Sequence, residues 1–389
     1  MRDGTGRLRR TGDGRRPWRR VLLVALALVA LQLGSLVAPA YACGCGAMVP
    51  QSGRQLSVRQ ETSAVRWDGH HEQIVMRLTV DGNAPQAAWI MPVPSRATVK
   101  LGDRQLFDEL ERLSAPVHRT RTYFWPRSGD WPLARDRSVG DGAPRPAAKP
   151  PVEVVGRERL GPFDVARLTA SDPTALRDWL SRNGFQLPPA LSTELRPYVD
   201  QKWEYVAIRL APDRPGRALG GPLDPLSLSF ASDRLIYPMR LSRLAKTPQT
   251  LDLYVLADHR METASTIGGD RPETLFAGDV EHPSGPLAEL TGGTGPVYLT
   301  ALTQFFTRPS RITGDHELTR AADDTGFQRT WYTDELMTVG GAPLWLVTVG
   351  GALAVLLAGA LGTVLAVRGR RRRRGDAQLP EPVSHSRPA

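Results

Sequence analysis

Cys43 and Cys45 are the only cysteines in the 389-residue chain, and a single glycine separates them. In an oxidising compartment they can close a local disulfide, because Gly44 accepts unusual dihedrals, but so small a ring removes little entropy from the unfolded chain. The same thiols could act as a redox pair, or as half of a site for a soft ion such as copper(I) or zinc. A tetrahedral site needs two further ligands, and no Cys/His pair at a standard spacing supplies them. Free or intermolecular thiols complete the alternatives.

Other titratable clusters are His70-His71, Asp258-His259 and Asp315-His316-Glu317. Neighbours on a strand point to opposite faces, so His70 and His71 read as an exposed turn, not as joint ligands. The other two runs offer ligands, or a base with its orienting carboxylate, but fix no nucleophile and no third partner; they read as solvated charge. No nucleophile elbow, phosphate-cradling glycine loop or zincin helix occurs. No catalytic residue is therefore assigned, no cofactor is specified, and the reading leans away from an enzyme. Tyr123, Phe124, Trp125 and Trp131 surround prolines. Exposed together, they would form a contact surface for a protein, glycan or peptide; packed inward, they are a core edge.

The formal charge of +10 has a simple address. Residues 1–42 hold eight arginines against two aspartates, and residues 368–389 hold seven arginines against Asp376 and Glu381. Subtracting these two segments leaves about −1 for residues 43–367, no excess with which to draw phosphates, so a nucleic-acid partner is not expected. The N-terminal arginines precede an apolar run, Val21 to Val37, and then Ala40 and Ala42, the layout of a signal peptide cut after Ala42. Residues 342–367 are uncharged and long enough to span about 30 Å of hydrocarbon. Arg368 and Arg370 to Arg374 follow, whereas Asp334 and Glu335 precede, so the C-terminus is expected in the cytoplasm. Gly350, Ala354, Ala358 and Gly362 repeat every four residues and would let two such helices approach closely as a homodimer.

Residues 43–340 remain as an extracytoplasmic domain, one large or two smaller. The Gly- and Pro-rich segments 127–150 and 262–295 read as mobile breaks within it. Between them, Gln55–Trp67 and Glu72–Val80 flank Asp68-Gly69 as a hairpin, with Ile74, Met76, Leu78 and Val80 on one face. Ala87–Val93 is a further strand, and Leu106, Phe107, Leu110 and Leu113 take helical spacing. Val152–Arg159 and Phe163–Ala170 read as a strand pair, followed by helices over 173–183 and 188–200. Trp203–Leu210, Leu226–Phe230, Arg234–Met239, Leu251–Ala257 and Tyr298–Phe306 read as strands. The expected fold is α+β, rich in antiparallel strands, with a few short helices and one C-terminal transmembrane helix. Trp89-Ile90-Met91-Pro92-Val93 and Leu235-Ile236-Tyr237-Pro238-Met239 are alike enough to raise an internal duplication.

Taken in order, Cys43-Gly44-Cys45-Gly46, Trp89 to Pro94, Leu106-Phe107 leading to Ala115-Pro116, Gly161-Pro162-Phe163-Asp164-Val165, Asn183-Gly184-Phe185 and Tyr237 to Ser242 resemble the bacterial "domain of unknown function 2330" family. That resemblance implies an exported bacterial envelope protein, often membrane-anchored, and transfers no activity. The combined expectation is a single-pass envelope protein whose non-enzymatic domain binds or organises another envelope component. Redox or metal handling at Cys43 and Cys45 is the alternative, and an unrecognised hydrolase the weaker one.

Overall fold

The computed structural model describes residues 46–131, 163–169, 173–211, 217–293 and 295–376. Cys43, Cys45, the N-terminal arginine-rich and apolar stretch, residues 132–150 and the strand expected at 152–159 lie outside them.

The strands begin with β1 (Ala47–Pro50), β2 (Leu56–Trp67), β3 (His71–Gly82), β4 (Ala87–Val93), β5 (Thr98–Leu101), β6 (Val117–Tyr123), β7 (Phe163–Thr169) and β8 (Glu204–Leu210). They continue with β9 (Gly221–Pro222), β10 (Leu226–Ala231), β11 (Leu235–Tyr237), β12 (Gln249–Ala257), β13 (Met261–Thr263), β14 (Glu273–Val280), β15 (Val297–Phe306) and β16 (His316–Arg320). Four short ones close the series, β17 (Phe327–Gln328), β18 (Thr330–Leu336), β19 (Thr338–Val339) and β20 (Ala342–Pro343). The helices are α1 (Gln105–Leu113), α2 (Pro173–Arg182), α3 (Pro189–Asp200), α4 (Gly285–Thr291) and α5 (Leu344–Asp376).

Contacts divide the chain into two units, one from Met1–Ala115 with Val154–Arg329 and one from Pro116–Glu153 with Thr330–Ala389. The first unit is built in four layers. A sheet ordered β17-β14-β15-β12-β2-β3-β10-β5, with β9 beside β3, faces a smaller sheet ordered β1-β4-β8-β7. Between them lie Ile74, Met76, Leu78 and Val80 from β3, Leu251, Leu253 and Val255 from β12, and Trp89, Met91, Val206 and Ile208 from β4 and β8. This is the period-2 face that the alternation predicts.

On the far side of the large sheet, Val75, Tyr254, Leu256 and Leu299 receive Leu106, Phe107 and Leu110 of α1 and Leu287 and Leu290 of α4. Each of these fully buried apolar side chains contributes roughly 1.5–3 kcal/mol, and that docking holds helices too short to persist alone. On the far side of the small sheet, Ala88, Ile90 and Ala207 receive α2 and α3 through Leu176, Leu180, Leu191 and Leu195. The sheets are antiparallel as expected, except that β12 and β2, at the centre of the large one, run parallel from Thr250/Gln60 to Leu256/Arg66.

Several details differ from expectation. The segment 262–295 is not a break: it holds β14, paired along β15, and α4. Its Pro and Gly residues punctuate α4, with Pro286 in the first turn and Gly292 left-handed at the C-cap (φ 78°). Strand β4 ends at Val93 as expected, and its Pro92 lies opposite Tyr205 of β8, beyond Ile90, the last residue matched to β1, so no ladder on that side is interrupted. The two similar Pro-containing strands occupy unlike places, β4 inside the small sheet and β11 at the edge of a separate sheet ordered β11-β16-β13.

The second unit is a two-stranded ribbon joined to α5. Strands β6 and β18 pair in parallel from Val117/Thr330 to Tyr123/Leu336. The Met337 N–H donates to the Tyr123 carbonyl (2.9 Å) and the Leu344 N–H to the Met337 carbonyl (2.8 Å). Between these bonds, β19 and β20 form a hairpin turning on Gly340 (φ 61°) and Gly341 (φ 83°), the left-handed pair that a tight hairpin demands. The span Leu344–Arg372 of α5 is long and apolar enough to cross a membrane.

Candidate functional site

In the first unit, three loops and one strand meet around a cleft of about 400 Å³. The first loop is the β2–β3 turn. Asp68 Oδ1 accepts the N–H groups of His70 (2.9 Å) and His71 (2.7 Å), which hold its carboxyl below the usual value of 3.8. Gly69 takes φ 97°, a conformation that side chains disfavour. The second loop, Asp233-Arg234, links β10 to β11. The third carries Asp258 and His259 after β12, and β16 supplies Glu317 to Arg320.

The floor is Leu235, Ala257, Met261 and Leu318, all buried, with Trp67 half-buried beside them. Strand alternation explains this division, because Leu318 faces inward while Glu317 and Thr319 face the opening. The result is an apolar basin with a rim of mixed charge.

Asp258-His259 enters the cleft, but Asp258 does not orient the imidazole. Asp258 lies 3.7 Å from Arg66, and His259 Nδ1 instead meets Asp324 Oδ2 at 2.9 Å. Asp324 also accepts the Arg260 N–H at 2.9 Å. That backbone bond first, and His259 second, lower its pKa. His259 is thus a positioned histidine, yet the lining offers no Ser or Cys for it to activate; its hydroxyl comes from Thr319.

The run Asp315-His316-Glu317 is split three ways, and only Glu317 reaches the cleft. Asp315 Oδ1 accepts the Tyr198 hydroxyl (2.7 Å) and the N–H groups of Met239 and Arg240 (both 2.8 Å), tying α3 to the 3-10 turn Arg240–Leu244. His316 is fully buried, its Nε2 2.8 Å from Gln304 Oε1, and burial pulls its pKa down to about 4. His70 and His71 are exposed at the turn.

Two buried carboxylates, Glu61 and Glu72, were not anticipated. Glu72 is fully buried; one oxygen accepts the Ile236 N–H at 3.3 Å and the other has no hydrogen-bond partner among the described residues. Burial raises its pKa well above 4.5, which favours the protonated form. Glu61 accepts the Tyr237 hydroxyl, which also bonds Ser63. The signal lay in their parity: Glu61 and Ser63 share the inward face of β2 with Val65.

The aromatic cluster belongs to the second unit. The Tyr123 hydroxyl donates to Asp130 (2.8 Å), and the Arg127 guanidinium lies 4.1 Å from the centre of its ring. Phe124 and Trp125 meet edge to face at 5.1 Å, and Trp131 meets Trp345 of α5 at 5.2 Å. Trp125 and Trp131 are 65% and 52% exposed. Arg121 and Arg127 both bond Asp334, whose pKa they hold at about 2. Gly350, Ala354, Ala358 and Gly362 lie along α5. Among the described residues, no group of three His, Cys, Asp or Glu side chains converges as a metal site.

The family model described as "Uncharacterized protein conserved in bacteria (DUF2330)" matches residues 39–319. The chain belongs to this family. The DUF2330 region takes in every cleft-lining residue except Arg320, and leaves out Asp324, β17 to β20 and α5. No curated protein matches the chain. The solved structure titled "Crystal structure of baculovirus P35" aligns with 71% of this chain and 97% of its own at 10% identity, with a TM-score of 0.29, a likeness too slight to inform fold or activity.

Proposed function

We propose that this DUF2330 chain is a single-pass, membrane-anchored binding protein of the bacterial envelope, with residues 43–340 outside the cell and the basic tail in the cytoplasm. The arginine-rich start, apolar run and small residues at Ala40 and Ala42 support export. The arginines after Val367, against Asp334 and Glu335 before α5, support the orientation. The binding role is carried by the cleft: about 400 Å³ with an apolar floor and a charged rim, the form of a pocket for an apolar group with a polar flank. Its occupant on this reading is such a group on another envelope component, held and not turned over.

A photoreactive amino acid at Asp233, on the rim, tests this in intact cells. An adduct should form on illumination and vanish when Thr319→Trp fills the opening, whereas the same label at exposed Lys100 should give none. Substrate turnover by the purified chain with no cleft-dependent adduct would remove the binding reading. Cleavage of the tail by protease added to intact cells, with the domain protected, would reverse the orientation.

A further inference from the structure

Among its described residues the second unit contributes to none of the hydrophobic core clusters. A two-stranded ribbon is marginal in water, and parallel strands ordinarily have both faces covered, yet five central residues of β6, His118 to Thr122, are exposed. The end of the ribbon next to α5 exposes large apolar side chains. Trp125 is 65% exposed, Val339 56% and Trp131 52%, with Phe124 set against Trp125. These side chains are held beside the first turn of the helix: Trp131 packs on Trp345, and the Met337 and Leu344 N–H bonds join ribbon, hairpin and helix. These contacts tie that end of the ribbon to the N-terminal end of α5. Tryptophan is favoured where a helix enters hydrocarbon because an apolar ring with one N–H suits a layer that is apolar on one side and wet on the other.

We propose that the helix-proximal end of this ribbon docks into the headgroup layer of the membrane that α5 crosses, inserting Phe124, Trp125, Trp131 and Val339 as a collar around the start of the span. The proposal rests on α5 being a membrane span. Among the described residues beside the collar, Arg121 and Arg127 share Asp334, Tyr123 bonds Asp130 and Glu335 is exposed, so this end carries no basic excess. Zwitterionic phospholipid therefore suffices, and anionic lipid adds little. The collar fixes the tilt of the ribbon at the surface in the way that interfacial aromatic anchors fix helices.

The test uses the full chain carrying Cys43→Ser and Cys45→Ser, reconstituted in phosphatidylcholine nanodiscs. Single-cysteine substitutions Trp125→Cys, Val339→Cys and Leu353→Cys each carry an environment-sensitive fluorophore, read against lipids with a nitroxide near the headgroup or near the chain end. Labels at 125 and 339 should be quenched roughly twofold or more better by the shallow nitroxide, consistent with insertion to headgroup depth, with the same ratio in high salt. The label at 353 should prefer the deep one. Adding Trp131→Ala to Val339→Cys should weaken the shallow quenching. If 353 responds to the deep nitroxide while 125 and 339 respond to neither, docking is wrong and the span stands. If 353 also fails to respond, the span reading is wrong. If 125 and 339 are shielded from lipid and crosslink copy to copy, a second chain covers the collar and the proposal is overturned.

Discussion

Replacing Glu72 with glutamine should change how stability depends on pH in a way set by two buried groups. Glu72 keeps its proton in the folded state to well above 4.5, where the unfolded chain has already released it. Its favourable contribution is complete below 4.5 and is lost as pH rises toward the folded value, at about 1.4 kcal/mol per pH unit. His316 works in the opposite sense. Its folded pKa of about 4 lies below the ordinary 6.5, so its contribution is complete above 6.5 and is lost as pH falls through about 4, with the same slope. Above 4.5 the two slopes oppose each other, that of His316 ending at 6.5 and that of Glu72 at its folded value. Glu72→Gln keeps the size of the side chain and an acceptor for the Ile236 N–H, but nothing that titrates. Relative to the parent chain, the variant should therefore gain stability as pH rises from 4.5 toward the folded value of Glu72, at about 1.4 kcal/mol per pH unit, and the gain should level off beyond it. Urea denaturation of both full chains in nanodiscs, in half-unit pH steps, measures the difference directly, and His316→Gln should uncover the reciprocal trend. A difference between parent and Glu72→Gln that stays constant across this range would refute the assignment of a buried, protonated carboxyl.

Two further perturbations test the positioning of the first unit. Asp315→Ala removes an acceptor shared by the Tyr198 hydroxyl and the N–H groups of Met239 and Arg240, and should cost roughly 3 kcal/mol, with Asp315→Asn costing less because one acceptor oxygen remains; thermal unfolding of the pair decides it. Gly46→Ala would place a Cβ 2.4 Å from the Ile90 carbonyl oxygen and 2.9 Å from Trp89 Nε1. It should cost roughly 1–3 kcal/mol, seen as faster limited proteolysis, and an unchanged digestion rate would show that β1 is free to move aside.

Much of the first unit could be read directly because its signals are local. Helix α1 runs from Gln105 to Leu113, where Leu106, Phe107 and Leu110 set the spacing, and α2 stops at Arg182 before Gly184 (φ 80°). Strand β14 was hidden because its ladder to β15 is bulged between Thr274 and Phe276, which breaks the alternation. Strands β6 and β18 carry almost no apolar pattern, since little of either is buried, and their partners come from far along the chain. The cleft was legible only in fragments. Asp258-His259 drew attention through adjacency, but the carboxylate that orients His259 is Asp324, 65 positions away, and nothing local announces such a pair. Adjacency misled in the opposite way at Asp315-His316-Glu317, because consecutive residues of an extended chain point to different environments.

The parallel pairing of β6 with β18 also bears on the order in which the chain folds. Parallel strands need a crossover connection, and here that connection takes in the Val154–Arg329 part of the first unit: Arg121 and Asp334 are 213 positions apart. Closing so long a loop at random is entropically costly, and contacts of such separation form slowly. The Gln328 amide, donating to the Ala115 carbonyl at 2.8 Å, brings the two strand starts together once the large sheet has formed, so the ribbon then closes as a short local hairpin would. The ribbon is thus the last element to assemble, and slow hydrogen exchange along β6 and β18 would report that the first unit has folded.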